Sequence, residues 1–184
     1  QGDVGSGKTI VALISMLTVV ESGFQTTLMT PTSILAYQHY ENISKLLNNF
    51  SIKIDILTGK DKGKKRLEKI DKINNGETQI IIGTHALIQE GVDFHNLGLS
   101  IIDEQHRFGV YQRMVFNYKS FRPSILVMSA TPIPRTLTLA AYGDMDESKL
   151  IERPYGRKMI KTKSISFKKE NQIIERIKNK IKTT

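Results

Sequence analysis

The sequence predicts an α/β fold built on a doubly wound, parallel β-sheet. Short β-rich runs alternate with helical patterns along the chain, which is typical of strands joined by helical crossovers. Several β-rich runs, such as Ile80–Ile82, are continuously apolar rather than alternating, as in strands that helices cover on both faces. We therefore expect one parallel sheet with helices on both sides.

The individual elements follow from the spacing of apolar residues and from the turn residues between them. The first helix is predicted at Lys8–Glu21, where apolar residues recur at helical spacing and Gly23 follows. The predicted strands are Phe24–Thr30, Ile52–Leu57, Gln79–Ile82, Leu99–Asp103 and Ser124–Met128. The other predicted helices are Ile34–Asn48, Lys62–Asn75, Tyr111–Tyr118 and Pro134–Tyr142.

A polar passage rich in glycine, proline and acidic residues follows these elements and predicts a linker. Beyond it, Ile160–Phe167 is predicted as a strand and Asn171–Ile181 as an amphipathic helix. We therefore expect a first lobe at residues 1–142, a linker at 143–157 and the beginning of a second lobe at 158–184.

The net charge of +9 is unevenly distributed. Residues 1–152 carry 16 basic and 16 acidic residues, whereas residues 153–184 carry 11 basic and 2 acidic residues. The basic excess therefore belongs to the C-terminal segment, which is either an ordinary solvated surface or a surface that contacts phosphate.

Composition excludes several kinds of protein. The chain has no cysteine, which rules out disulfides and thiolate metal sites, and its four histidines lack the spacing of paired metal ligands. No apolar run approaches the roughly 20 residues that cross a bilayer. We expect a cytoplasmic protein that does not enter a membrane.

Residues Gly2–Thr9 match the pattern G-x-x-x-x-G-K-[ST] and lead directly into the first predicted helix. Glycines permit a loop whose backbone N–H groups converge on phosphate at a helix N-terminus, whereas the alternative is a plain glycine turn. Such a loop normally follows a strand, so we expect the chain to be truncated before it. The residues predicted to bind ATP here are Gly5, Ser6, Gly7, Lys8, which should reach the β- and γ-phosphates, and Thr9, which should ligate Mg²⁺.

Two adjacent carboxylates, Asp103 and Glu104, end a strand predicted to be buried. Ligands of α/β sheets bind at the carboxyl ends of the strands. We expect Asp103 to hold Mg²⁺ through water and Glu104 to polarise the attacking water, with Lys8 completing the catalytic set.

The run Asp103-Glu104-Gln105-His106 resembles the DExH form of helicase motif II, and Ser129-Ala130-Thr131 resembles motif III of superfamily-two helicases. The resemblance implies a RecA-like lobe. It also implies that Gln105 and His106 sense the γ-phosphate, and that Ser129 and Thr131 relay that state to loops that contact DNA.

Three further strand exits resemble the DNA-contacting motifs of the same superfamily. They follow the strands in the order that the superfamily requires, and a motor that translocates should contact mainly the DNA backbone. The residues so implicated are Pro31, Thr32, Thr58, Gly59, Gly83, Thr84 and His85.

Longer strings, such as Gly83–Gln89 and Asp103–Val110, are similar to those of RecG-type helicases. The nearest rival is a transcription-repair coupling translocase, and Gln105 favours the RecG type. The resemblance implies ATP and Mg²⁺ as cofactors, forked or branched DNA as substrate, a second lobe and a wedge domain in cis, and a monomer. A P-loop ATPase that does not act on nucleic acid, or a non-catalytic ATP-binding module, remains the alternative from another class.

Overall fold

The computed structural model describes residues 1–104, 123–131, 146–152, 164, 166 and 170–182. The chain divides into two compact units, residues 1–154 and 155–184. The predicted helices at 111–118 and 134–142 and the predicted strand at 160–167 lie outside the described residues. The bounds expected for the lobes and the linker remain predictions.

The first unit contains the elements of the predicted sheet. Helix α1 and strand β5 begin and end where predicted, and the other predicted elements on described residues are confirmed with ends shifted by one or two residues. In chain order they are α1 (Lys8–Glu21), β1 (Gln25–Met29), α2 (Ser33–Leu46), β2 (Ile54–Leu57), α3 (Gly63–Asn74), β3 (Ile80–Gly83), a 3₁₀ helix (His85–Ile88), β4 (Leu97–Asp103) and β5 (Ser124–Met128). In the second unit the described helix is α4 (Glu170–Lys182).

The five strands form one sheet in the order β2-β3-β1-β4-β5, and every neighbouring pair is parallel. Parallel neighbours require crossover connections, so all five strands direct their carboxyl ends to one edge. The predicted fold class is thereby confirmed.

The start of the chain lies next to the end of β5, at the edge of the sheet where the strands have their carboxyl ends. Gly2 donates its backbone N–H to the carbonyl oxygen of Ser129 at 3.2 Å, and Gly2 also forms a parallel bridge with Leu150. The glycine loop therefore begins beside the end of β5.

Two hydrophobic clusters cover the two faces of the sheet. Helices α1 and α2 pack on one face through residues such as Met16 and Ile43, and α3 packs on the other through Ile73. Strand β3 shows the alternation directly, because Ile80 and Ile82 belong to the first cluster and Ile81 to the second. Burial on both faces explains why the strands read as continuous apolar runs.

The middle of the sheet, between β1 and β4, also buries polar groups. All five residues of β1 are buried, and the hydroxyl of Thr27 donates to that of Ser100 at 3.0 Å across the two strands. The side-chain amide of Gln25 donates to the carbonyl oxygens of Ile73 and Thr78. These buried polar side chains are thus hydrogen-bonded, as burial requires.

Among the described helices, none combines the length and the apolar character needed to cross a membrane.

Candidate active site

The glycine loop has the backbone conformation that its sequence predicts. Gly5 and Gly7 have φ values of 74° and 97°, in the left-handed region that favours glycine. Gly7 is the N-cap of α1, and the backbone N–H of Ser6 donates to the carbonyl oxygen of Asp3 at 3.1 Å. The first N–H groups of a helix have no partner within the helix, so this loop presents donors to an anion.

The side chain of Lys8 lies back over this loop. Its ammonium group donates to the carbonyl oxygens of Gly2 at 2.7 Å and Asp3 at 3.0 Å. Thr9 follows it in the first turn of α1, half-buried. The structure therefore places the ammonium of Lys8 against the loop and Thr9 in the adjoining helical turn, and their roles in binding phosphate and Mg²⁺ remain predictions.

Ser6 supplies a buried polar atom inside the loop. Among the described residues, its hydroxyl is one of two buried side-chain polar atoms without a hydrogen-bond partner. A Cβ added at Gly2 would lie 2.5 Å from that hydroxyl and 3.0 Å from the Cβ of Leu150. An unpaired buried hydroxyl in a glycine loop at a helix N-terminus fits a site for phosphate oxygens.

Asp103 ends β4 as a buried carboxylate, 8% exposed. Its Oδ2 lies 3.0 Å from Nε2 of His39, and its Oδ1 accepts from the backbone N–H of Glu104 at 3.0 Å. Glu104 itself has φ of 52°, the one non-glycine residue with positive φ in the described part of the chain. This conformation costs about 1–2 kcal/mol and turns the chain sharply at the end of the strand.

Thr9 and Asp103, the residues expected to hold Mg²⁺, have side chains whose chemistry fits this ion. Mg²⁺ keeps several waters and binds proteins through one or two oxygen ligands together with substrate phosphates. Thr9 has a hydroxyl and Asp103 a carboxylate, and both are oxygen donors of this kind. No cluster of three or more His, Cys, Asp or Glu side chains able to hold a metal occurs among residues 1–104 or the other described segments.

Ser129 and Thr131 lie between the glycine loop and Asp103. Met128 is paired with Asp103 in the sheet, and the carbonyl of the next residue, Ser129, accepts from Gly2. The two hydroxyl groups of Ser129 and Thr131 lie 3.1 Å apart, and the backbone N–H of Thr131 donates to the hydroxyl of Ser129 at 3.2 Å. The predicted hydroxyl pair is therefore one hydrogen-bonded unit next to the loop.

The loops predicted to contact DNA follow β1, β2 and β3, which are neighbours in the sheet. Backbone hydrogen bonds connect them: Thr30 donates to the carbonyl of Gly83 at 2.8 Å, and Thr84 donates to that of Leu57 at 3.3 Å. A Cβ at Gly83 would lie 2.2 Å from the carbonyl oxygen of Leu57, so only glycine fits there. The three loops therefore form one continuous surface.

The threonine hydroxyls in these loops have local partners. Thr32 accepts from the N–H of Leu35 and caps α2, and Thr84 accepts from that of Ala86 and caps the 3₁₀ helix. Thr58 is fully buried. The exposed groups of this surface are Gly59 and His85, with Pro31 and Thr32 half-buried. Contact with DNA remains a prediction for all seven residues.

A charged network holds the loop after β2. Asp61 accepts from the N–H and hydroxyl of Thr58, and from the ammonium of Lys69 at 2.8 Å. Burial raises the pKa of Asp61, but the hydrogen bonds from Lys69 and Thr58 outweigh it, so its pKa lies below the ordinary 3.8. Burial lowers the pKa of Lys69, but the hydrogen bond to Asp61 and the charge of Asp55 raise it above the ordinary 10.5.

Two predicted site residues, Gln105 and His106, lie outside the described residues. Two others take part in the site without a predicted role: His39, which contacts Asp103, and Asp61, which holds Thr58. Asp61 stands three residues after a threonine that directly follows a strand, a spacing that could have indicated a capping carboxylate. A lone histidine on a helix gives no comparable signal.

Solved structures support both the fold and the resemblance. The chain is similar to a chain in a structure of RecG bound to a three-way DNA junction, with 44% identity and a TM-score of 0.83 over 100% of this chain and 24% of that one. It also resembles domain 2 of the DEAD-box helicase Mss116p bound to an RNA duplex, with 14% identity and a TM-score of 0.66 over 84% of this chain and 63% of that one. The second likeness shows the RecA-like fold alone.

Sequence comparisons agree. The chain is 49% identical to the ATP-dependent DNA helicase RecG of Streptococcus pneumoniae over 98% of its own length and 27% of that protein. It is 46% identical to RecG of Aquifex aeolicus over 99% of its length and 23% of that protein. The chain thus spans about a quarter of these relatives, and the resemblance to RecG-type helicases is confirmed. Because residues 1–140 also match the family model for DEAD/DEAH box helicases, the chain belongs to that family.

Proposed function

We propose that the chain is the first nucleotide-binding lobe of an ATP-dependent DNA helicase that remodels branched DNA. The observation that supports this most is the common edge of the sheet. The glycine loop, Asp103 and the three connected loops all lie at the carboxyl ends of parallel strands. A site for ATP and a surface for DNA then share one rigid support.

In this proposal Lys8 and the N–H groups of the glycine loop bind the β- and γ-phosphates of ATP. Thr9 and Asp103 hold Mg²⁺, which neutralises charge that develops on the transferring phosphoryl group. Glu104 orients the attacking water and accepts its proton. Ser129 and Thr131, next to the loop, respond to the loss of the γ-phosphate.

The surface formed by Pro31, Thr32, Gly59 and His85 contacts the backbone of DNA. Backbone contacts suit a translocase because they carry no sequence information. The relatives named above are RecG proteins, and one is described as bound to a three-way DNA junction, which supports branched DNA as substrate over the substrate of a transcription-repair coupling translocase. The proposal includes a second lobe and a wedge domain in the same polypeptide, a monomeric state and a cytoplasmic location.

The test uses the full-length protein and two variants, Lys8→Ala and Glu104→Gln. We expect Lys8→Ala to lose ATP binding, and Glu104→Gln to bind Mg·ATP but lose turnover, because its amide cannot accept the proton. Equilibrium binding of a fluorescent ATP analogue measures the first difference, and ATPase activity with and without forked DNA, together with fork unwinding, measures turnover. Lys53→Ala is the matched control, since this exposed lysine precedes β2 at the opposite edge of the sheet. Normal fork-stimulated turnover in Lys8→Ala would overturn the proposal.

A further inference from the structure

Helix α2 brings a histidine to the carboxylate predicted to hold Mg²⁺. Nε2 of His39 lies 3.0 Å from Oδ2 of Asp103, and both side chains are 12% exposed. A carboxylate oxygen accepts, so the imidazole donates through Nε2. With Oδ1 accepting from the N–H of Glu104, each oxygen of Asp103 is oriented by one donor. The carboxylate therefore cannot rotate without breaking a hydrogen bond.

The same helix begins at the surface proposed to contact DNA. Thr32 is its N-cap, and its hydroxyl accepts from the N–H of Leu35 at 3.3 Å. Ala36 and Ile43 are fully buried on the face of α2 that packs on the sheet. His39 lies two turns along the helix from Thr32, about 10 Å at 1.5 Å per residue. A displacement of Thr32 along the helix axis is therefore carried to the imidazole.

We propose that His39 is a positioning residue that orients Asp103 for Mg·nucleotide and, through α2, links DNA contact at Pro31–Thr32 to the nucleotide site. The link rests on the proposed function. Hydrogen bonds weaken steeply as distance and angle depart from ideal values, so a small shift of α2 changes the hold on Asp103. By thermodynamic linkage, DNA and Mg·nucleotide then alter each other's affinity by the same factor.

Two substitutions separate positioning from packing. His39→Leu fills a similar volume but has no donor, whereas the amide of His39→Gln can donate from the place of Nε2. His39→Asn provides a second donor-free geometry, because its amide is too short to reach Asp103, and it replaces the leucine variant if that one does not fold. His95→Ala is the matched control, since His95 is exposed and lies outside the site.

The first measurement is equilibrium binding of a fluorescent, non-hydrolysable ATP analogue to the full-length protein over a series of Mg²⁺ concentrations. We expect His39→Leu to need about 10- to 100-fold more Mg²⁺ for half-maximal binding, the usual effect of losing a group that orients a metal ligand. Binding without Mg²⁺ should be unchanged. His39→Gln should recover most of the loss, and His95→Ala should match the wild type.

The second measurement repeats the titration with forked DNA. In the wild type, we expect DNA to change the affinity for Mg·nucleotide by about 5- to 150-fold, a typical coupling between sites. In His39→Leu this factor should fall towards one. The inference is wrong if His39→Leu needs no more Mg²⁺ than the wild type and DNA changes its affinity for Mg·nucleotide by the wild-type factor. The proposed function would still stand in that case. A wild type that binds no Mg·nucleotide, or that ignores DNA, would instead remove the proposed function.

Discussion

The carboxylate of Asp61 accepts two hydrogen bonds from Thr58, one from the backbone N–H at 2.8 Å and one from the hydroxyl at 3.2 Å. Its other oxygen accepts from Lys69, which also donates to the carbonyl of Ile56 at 2.6 Å. Asp61 and Lys69 therefore stabilise the loop after β2 through hydrogen bonds that involve charged groups.

The first prediction is that Asp61→Asn destabilises the lobe. It removes a charged acceptor from Thr58 and Lys69, and hydrogen bonds to charged groups contribute about 1.5–3 kcal/mol each. We expect the free energy of unfolding to fall by about that amount in urea denaturation. Glu68→Gln is the control, because the Lys64–Glu68 pair is 3.9 Å apart with side chains 91% and 58% exposed, and such pairs contribute little. Equal losses in the two variants would contradict the prediction.

The second prediction concerns the free energy of unfolding at low pH. Because the pKa of Asp61 is lower in the folded protein than its ordinary value of 3.8, its contribution is fully present above 3.8 and is lost as the pH falls through the folded pKa. The free energy of unfolding should therefore decrease more steeply in this range for the wild type than for Asp61→Asn. Urea denaturation at successive pH values compares the two slopes, and parallel curves would rule out the role given to Asp61.

The third prediction separates strain from catalysis at Glu104. Its φ of 52° disfavours any residue with a Cβ. Glu104→Gly and Glu104→Ala both remove the carboxylate, so both should lose turnover, but the glycine variant should be about 1 kcal/mol more stable than the alanine variant. Thermal melting and ATPase assays on the full-length protein measure the two effects. Equal stability of the two variants would show that this backbone conformation is not present in solution.

The fourth prediction is that Gly83→Ala separates β3 from β2. The new Cβ would lie 2.2 Å from the carbonyl oxygen of Leu57, a backbone atom that cannot move aside cheaply. We expect a loss of about 1–3 kcal/mol in the free energy of unfolding, as for other overpacked sites. Gly59→Ala, which meets nothing within 4 Å and has no positive φ, should keep wild-type stability. A tolerated Gly83→Ala would mean that the two strands are not paired as described.

The fifth prediction is that residues 1–184 alone hydrolyse ATP only near background. In two-lobed motors, an arginine from the second lobe stabilises charge on the transferring phosphoryl group, and such a residue contributes about 10³- to 10⁵-fold in rate. Beyond Arg153 the sequence has only Arg157 and Arg176, too early in that lobe for such a role. The test measures phosphate release by this chain and by the full-length protein, each with and without forked DNA. Fork-stimulated turnover within about tenfold of the full-length rate would contradict the two-lobe mechanism.

Much of the fold could be predicted because its signals are local. Helix α1 has apolar residues at helical spacing and follows glycines, so both of its ends were marked in the sequence. Strand β4 begins two residues earlier than predicted, at Leu97, which pairs with Gln25 of β1. A Cβ at Gly98 would lie 2.8 Å from the Cβ of Phe24, so the strand passes close to its neighbours there. That close approach depends on tertiary structure, which a local pattern does not contain.

The candidate site also has some features that could be predicted from the sequence and others that could not. The glycine loop was predictable because its conformation depends on a contiguous run of residues. The contact between His39 and Asp103 joins residues 64 positions apart, and Asp61, which accepts from Thr58, also accepts from Lys69 of helix α3. The contact between His39 and Asp103 leaves no pattern in the sequence, and the spacing of Thr58 and Asp61 does not indicate Lys69 as a third partner. The burial of Thr58 and Thr84 could likewise not be predicted from the sequence, because a threonine that follows a strand can be exposed or can cap a helix.

The buried polar contact between Thr27 and Ser100, at the middle of the sheet, has a mechanical consequence. It lies on the border between the strands that support the surface for DNA and the strands that support the phosphate site. Close-packed interiors have low compressibility and transmit strain. A movement that opened this border would break that buried hydrogen bond together with the backbone pairing of β1 and β4. We therefore expect rearrangements within this lobe in the helices and loops that flank the sheet, rather than between its central strands.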